Sequence, residues 1–172
     1  MFKKLLPCIL LATISCNEVE DMLTFAFNDR TTIVIESTSP LNLPLEVPTP
    51  AVTSNSQQQY QNNNTRADLV KDVRLEQVKL TITDPSGKTF SFLKTIRVFI
   101  SADQQDEIEL AALDNISSST GVLELIPTKE KLDAYAKAPA YSLRTEVTTD
   151  ETLTQDVEVQ VDLRFKVTAD TF

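Results

Sequence analysis

Between Val157 and Val167 apolar and polar residues alternate without a fault. Val157, Val159, Val161, Leu163, Phe165 and Val167 take the odd positions, and Glu158, Gln160, Asp162, Arg164 and Lys166 lie between them. A period of two describes a β-strand with one face in a core and the other in water. Wound into a helix, the same residues would spread around the whole circumference and leave no apolar face. A strand with one dry face belongs to a sheet, and the dry face of a sheet needs a second layer to cover it. The remainder of the chain is therefore read as what supplies that layer.

At 172 residues the chain has the length of one domain and can bury a substantial core. Its 41% hydrophobic and 24% charged residues lie in the globular range. Two glycines are few for an all-β protein, so the turns must rely on Pro, Asn, Asp and Ser. The chain contains no His, which removes Ser-His-Asp and Cys-His catalysis, imidazole metal ligation and any histidine pH switch. The formal charge is −9, and no run of Lys or Arg is dense enough to grip phosphates, which argues against nucleic acid as a partner. Two glycines also cannot build a phosphate-binding loop, and no cofactor is indicated.

Taken in order, the folded part starts near Leu23. Leu23, Phe25 and Phe27, then Thr31, Ile33 and Ile35, keep one period-two phase through Asn28-Asp29-Arg30, as one long strand or a kinked pair. Leu41, Leu43, Leu45 and Val47 alternate with Pro40, Pro44 and Pro48, which predicts an edge strand or an extended border segment, because Pro cannot donate to a ladder. The Gln- and Asn-rich segment 49–68 reads as a long, mobile surface loop. Val73, Leu75, Val78, Leu80 and Ile82 form a strand whose phase slips at Glu76-Gln77, as at a β-bulge. Asp84-Pro85-Ser86-Gly87 has the pattern of a type I turn, and Phe90, Phe92, Ile96, Val98 and Ile100 are expected to return as the hairpin partner. Strands follow at Ile108 to Ala112 and Val122 to Ile126, then a short helix from Lys129 to about Lys137 capped by Thr128, then a strand at Tyr141 to Val147. About eight strands and one short helix predict an all-β fold, a two-layer antiparallel β-sandwich of immunoglobulin-like architecture spanning 23–172, without the Trp and paired Cys of true immunoglobulin domains.

The first 15 residues read as a signal peptide. Lys3 and Lys4 precede the apolar stretch Leu5 to Ile14, too short to span a bilayer as a helix, and the segment ends in Thr13-Ile14-Ser15-Cys16. This end resembles the lipobox of bacterial lipoproteins of the Bacteroidota type, with a small residue before the Cys and Thr13 where the commonest lipobox has Leu. The resemblance implies that Cys16 is lipidated and that cleavage occurs before it. It also implies a membrane partner, reached through the N-terminal lipid anchor at the bacterial outer membrane. Cleavage there removes Lys3 and Lys4, leaving 14 basic and 25 acidic side chains and a net −11. Only one Cys would remain, so no disulfide within the mature chain is available. Residues 16–22 form an acidic tether, Asn17-Glu18-Val19-Glu20-Asp21 after the Cys, which resembles the surface-export signals of the same lipoproteins.

Candidate sites in the folded part are sparse. The acidic stretch Ser101 to Glu107 lacks the alternating pattern and Gly of a calcium loop and reads as a solvated hairpin loop. Asp150, Glu151 and Asp156 flank the last turn in the same way. Non-catalytic sugar binding relies on flat aromatic platforms. There is no Trp, and Tyr141 falls in phase with core positions, so Tyr60 and Tyr135 are the candidate ligand contacts. The functional expectation is a non-catalytic binding or structural module of the cell envelope, its partner another envelope protein or a glycan. The alternative is a small envelope hydrolase using a carboxylate pair.

Overall fold

The structure is a computed structural model, and it describes residues 22–102 and 107–172. The fold is mostly β, an antiparallel sheet curled into a half-barrel. Its strands are β1 (Met22–Ile35), β2 (Pro44–Val47), β3 (Val52–Thr53), β4 (Val70–Asp84), β5 (Leu93–Ser101), β6 (Ile108–Asp114), β7 (Val122–Pro127), β8 (Ala140–Thr149) and β9 (Val157–Asp170). Two short helices accompany them, α1 (Ser56–Asn62) and α2 (Asp133–Lys137). The strand order is β1-β9-β4-β7-β6-β5-β8-β2, with β3 on β8.

The alternating stretch found in the sequence is β9, which runs on to Asp170. Val157, Val159, Val161, Leu163, Phe165, Val167 and Ala169 all face inward and are at most 2% exposed. β9 is paired along both edges, with β1 from Met22↔Asp170 to Ile35↔Val157 and with β4 from Val70↔Ala169 to Asp84↔Glu158. The choice between one long strand and a kinked pair is thus settled for β1, whose 14 residues pair with β9 without a register shift. In β4 the register shifts between Leu75 and Gln77, where the sequence slips phase. One extra residue lets both Leu75 and Val78 point into the core.

The curl has a defined seam. Val122 to Leu125 of β7 pair with β4, whereas Ile126 and Pro127 pair with Ala112 and Ala111 of β6. One six-residue strand thereby hands the sheet from its β1-β9-β4 half to its β6-β5-β8-β2 half. Both halves turn their apolar faces to one core. Phe27 of β1 stacks on Phe165 of β9 with centroids 5.1 Å apart, and Tyr141 of β8 meets Phe165 edge-on at 6.2 Å.

Three local expectations are corrected. β4 and β5 are not hairpin partners, since β5 pairs with β6 and β8. The turn after β4 does exist, one residue later than expected. The Lys88 N–H donates to Pro85 O, Gly87 takes φ +78°, and the Asp84–Pro85 bond is cis. Phe90 and Phe92, both fully buried, then form a single helical turn that carries the chain from one half of the sheet to the other. The helix expected from Lys129 shrinks to α2, and the Thr128 hydroxyl donates to the carbonyls of Glu109 and Leu110 instead of capping it.

The third correction concerns 49–68, expected as a mobile surface loop. Val52 and Thr53 pair with β8 at Tyr141 and Ala140, and α1 follows directly. Thr65 is fully buried, and its hydroxyl donates to Asp170 O at 2.7 Å. A Gln run is compatible with a helix, because Gln keeps most of its rotamer freedom there. The segment packs into the fold through few but well-placed residues.

These faces generate a paired prediction. Val161→Asp puts a carboxylate into the core and is expected to cost several kcal/mol, whereas Gln160→Asp, one residue away on the wet face, is expected to cost about 1 kcal/mol or less. Urea denaturation of the two variants checks this; equal losses would mean that β9 is buried on both faces.

Candidate functional site

Strand β1 keeps the inward phase of Phe27 and Ile33 at position 29, and that position holds Asp29, only 7% exposed. A carboxylate on the dry face of a sheet requires partners. The Tyr141 hydroxyl of β8 donates to Asp29 Oδ2 at 2.9 Å, and the backbone N–H of Asn55, next to α1, also reaches the carboxylate. Burial pushes the Asp29 carboxyl above the usual carboxylate range, and these two hydrogen bonds only partly oppose it. The Tyr141 phenol is pushed up as well, by its own burial and then by the charge of Asp29. This polar pair ties the β1 edge of the half-barrel to β8 and is shielded by Phe165. Sequence reasoning passed over it, although an acidic residue in core phase between Phe27 and Ile33 was a visible signal.

Tyr60 and Tyr135, the two candidate ligand contacts, both lie in the core, 1% and 7% exposed. Tyr60 is held between Phe25 and Phe27, edge-on at 6.2 and 6.5 Å, and its hydroxyl donates to Ala136 O of α2 at 3.0 Å. Burial pushes its pKa up to about 12. Neither ring presents a flat face to solvent, so neither serves as a stacking platform. The two lie on neighbouring helices, and Tyr60 is the link that fastens α1 to α2.

Asp150 and Glu151 are exposed, and the other remaining candidates are engaged by the fold or lie outside the described residues. The latter group holds Cys16, the signal segment 1–15, tether residues up to 21 and Asp103 to Asp106 of the acidic stretch. Glu107, which ends that stretch, is bound by Arg144 at 2.7 Å, and this guanidinium holds its carboxyl below the usual range. Arg144 also sits over the Phe99 ring, 4.0 Å from its centroid, with Glu46 and Glu146 at 3.5 Å. Asp156 accepts the backbone N–H of Ser37 at 2.8 Å, which lowers its pKa and makes it a cap for the segment after β1. Among the described residues no group of three or more His, Cys, Asp or Glu is placed to hold a metal ion.

The surface concavities are shallow. One of about 240 Å³ lies on the wet face of β1-β9-β4, lined by Asn28, Arg30, Gln77, Lys79, Asp162 and Arg164. There Arg30 binds Asp162 at 2.6 Å, and Arg164 binds Glu76 at the same distance. Burial works against the Asp162 charge, but the hydrogen bonds from Arg30 and Gln160 outweigh it and its pKa falls. Another, of about 270 Å³, is framed by α1 and residues 66–68. A scan against protein-family models found no match, and no curated protein matched the sequence.

Two predictions follow from these environments. Tyr60→Ala removes a buried ring and is expected to cost about 3–5 kcal/mol in chemical denaturation, whereas a surface platform would tolerate the change within about 0.5 kcal/mol. For Asp29 the folded pKa is raised, so the stabilising proton is present below the unfolded value and stability is lost as pH rises through the folded value. Asp29→Asn keeps an acceptor for Tyr141 but cannot ionise. The stability difference, variant minus wild type, is expected to grow between about pH 4 and neutrality; a difference independent of pH would contradict the assignment.

Proposed function

We propose that this chain is a lipid-anchored lipoprotein of the bacterial cell envelope, held at the outer membrane through Cys16 and acting as a non-catalytic binding or structural module. In this reading the curled sheet works as two facing layers, a β-sandwich of immunoglobulin-like architecture. Its partner is another envelope protein or a glycan. The observation that carries the proposal is the N-terminal sequence: Lys3-Lys4, the apolar run Leu5 to Ile14, and Cys16 placed six residues before the first strand at Met22. Acyl chains on that thiol would replace a spanning helix as the anchor, with more than one chain needed for stable attachment.

The described carboxylates favour a binding module over a hydrolase. Glycoside hydrolysis by a carboxylate pair needs two acidic groups facing each other across a cleft, one of them with a raised pKa. Asp29 has the raised pKa, but its hydrogen-bonding partner is a phenol, and it lies on the buried face of β1. Asp156 and Glu107 are both shifted down by donors that hold them ionised.

The anchor is tested by metabolic labelling with a fatty acid in a host that processes lipoproteins. The wild-type chain is expected to take up label, lose its first 15 residues and enter the detergent phase. Cys16→Ser is expected to take up none and to shift to the soluble fraction. Equal labelling of both chains would refute lipidation at Cys16.

A further inference from the structure

Four loops meet at the end of the half-barrel where β1 stops and β9 starts. The Ser37 N–H donates to Asp156, Asp150 N–H to Phe92 O, Phe90 N–H to Thr120 O and Ile116 N–H to Lys94 O. These bonds join segments 36–43, 84–94, 114–121 and 150–158 into one surface, which carries seven Asp or Glu against Lys88 and Lys94, a net −5. Among the described residues only one of the seven is in an ion pair, Asp114 with Arg97. Glu36, Asp156 and Glu158 accept from the neutral donors of Thr38, Ser37 and Thr83, which leave their charge uncancelled.

An apolar lip stands in the same surface. Leu41 and Leu43 are 44% and 60% exposed, and the flanking Pro40 and Pro44 are exposed as well. These leucines do not hang on a slack loop. Leu41 bridges Thr149, the residue before Asp150, and Asn42 N–H donates to Thr149 O at 2.7 Å. Asn42 takes φ +56°, in the left-handed region that Asn enters more readily than most residues, and Lys94 Nζ reaches its Oδ1. Folding alone gains nothing from fixing two leucines in water. An exposed apolar patch with a polar rim marks a contact surface, and one already ordered binds at a lower entropic cost.

We infer that this end of the fold docks a cationic, aliphatic segment of a partner protein, rich in Lys or Arg and carrying Leu-like side chains. Charge selects this occupant. A second copy using the same face would bring two surfaces of net −5 together, and anionic lipid headgroups would be repelled in the same way. A neutral glycan gains nothing from unpaired carboxylates and finds no flat aromatic face on the lip. The inference rests on the reading of the chain as a binding module, whose partner it gives a chemistry, and not on lipidation at Cys16.

Fluorescence anisotropy of a short labelled peptide of Lys and Leu, titrated with the full-length unacylated chain, tests it. A second peptide carries Ser in place of every Leu. The wild-type chain is expected to bind the Lys-Leu peptide about tenfold more tightly than the Lys-Ser peptide, and to bind both more weakly as salt rises. Leu41→Ser with Leu43→Ser is expected to erase the difference between the peptides at unchanged melting temperature. Val122→Ser with Ile126→Ser, which removes two exposed apolar side chains elsewhere, is expected to keep it. Glu36→Gln with Asp150→Asn and Glu151→Gln is expected to weaken both peptides about tenfold at low salt. The same change of net charge made by Asp68→Asn with Glu124→Gln and Glu130→Gln is expected to weaken them less than about twofold. Equal affinity of the wild-type chain for the two peptides, or equal losses in the two charge variants, would overturn the inference. So would a wild-type dimer that Leu41→Ser with Leu43→Ser dissolves, since the lip would then belong to a second copy. Such failures would leave the Cys16 anchor standing, and a failed labelling experiment would leave the peptide preference standing.

Discussion

The fold depends on β9 being paired along both edges while one of its faces is dry. Seven inward side chains of that strand are at most 2% exposed, and each in turn meets residues of the facing half or of its two neighbours. Since side chains alternate, a slip of one residue against β1 would turn all seven into water. Fully burying a Val, Leu or Phe contributes roughly 1.5–3 kcal/mol, and a domain has only about 5–15 kcal/mol of net stability. No alternative register therefore competes. The same register sets Phe27 opposite Phe165 and gives Tyr141 a ring to lean on.

Against this apolar background the buried polar groups act on specificity more than on stability. The Asp29 carboxyl shifts upward despite two hydrogen bonds, so its desolvation outweighs what Tyr141 and Asn55 return. An apolar residue there would give a more stable sheet but no directional tie between β1 and β8. Tyr60 does the equivalent on the helical side at lower cost, because a neutral hydroxyl gives up less hydration than a carboxylate. The Asp29–Tyr141 pair joins β1 to β8 where no strand ladder does, and the Tyr60–Ala136 bond fastens α1 to α2.

What was legible in the sequence follows what local residues can encode. The long strands β1, β4 and β9, the bulge at Glu76-Gln77 and the inward phase of Tyr141 were readable, because period-two patterning is imposed directly by a two-sided sheet. Pairing was not. The residues around Asp84 signal a turn but do not say which strand comes next to β4, and two buried Phe residues at period two read as strand although they form a helical turn. In 49–68 the Gln and Asn residues outvoted Val52, Tyr60 and Thr65, three anchors whose partners lie 75 or more residues away in sequence, as Tyr60 with Ala136 and Thr65 with Asp170. The burial of Tyr60 and Tyr135 was hidden for the same reason, since composition names an aromatic residue but not its exposure.

β9 is the strand on which the rest of the sheet is mounted, and native-state hydrogen exchange tests this most directly. Amides of β9 from Val157 to Ala169 are expected to exchange only through global unfolding, those of β4 and the paired side of β1 next, and the short edge strands β2 and β3 through local opening. Exchange of β9 at the rate of β2, or slower exchange in β5 and β8 than in β9, would place the stable centre of the molecule in the other half of the sheet and contradict it.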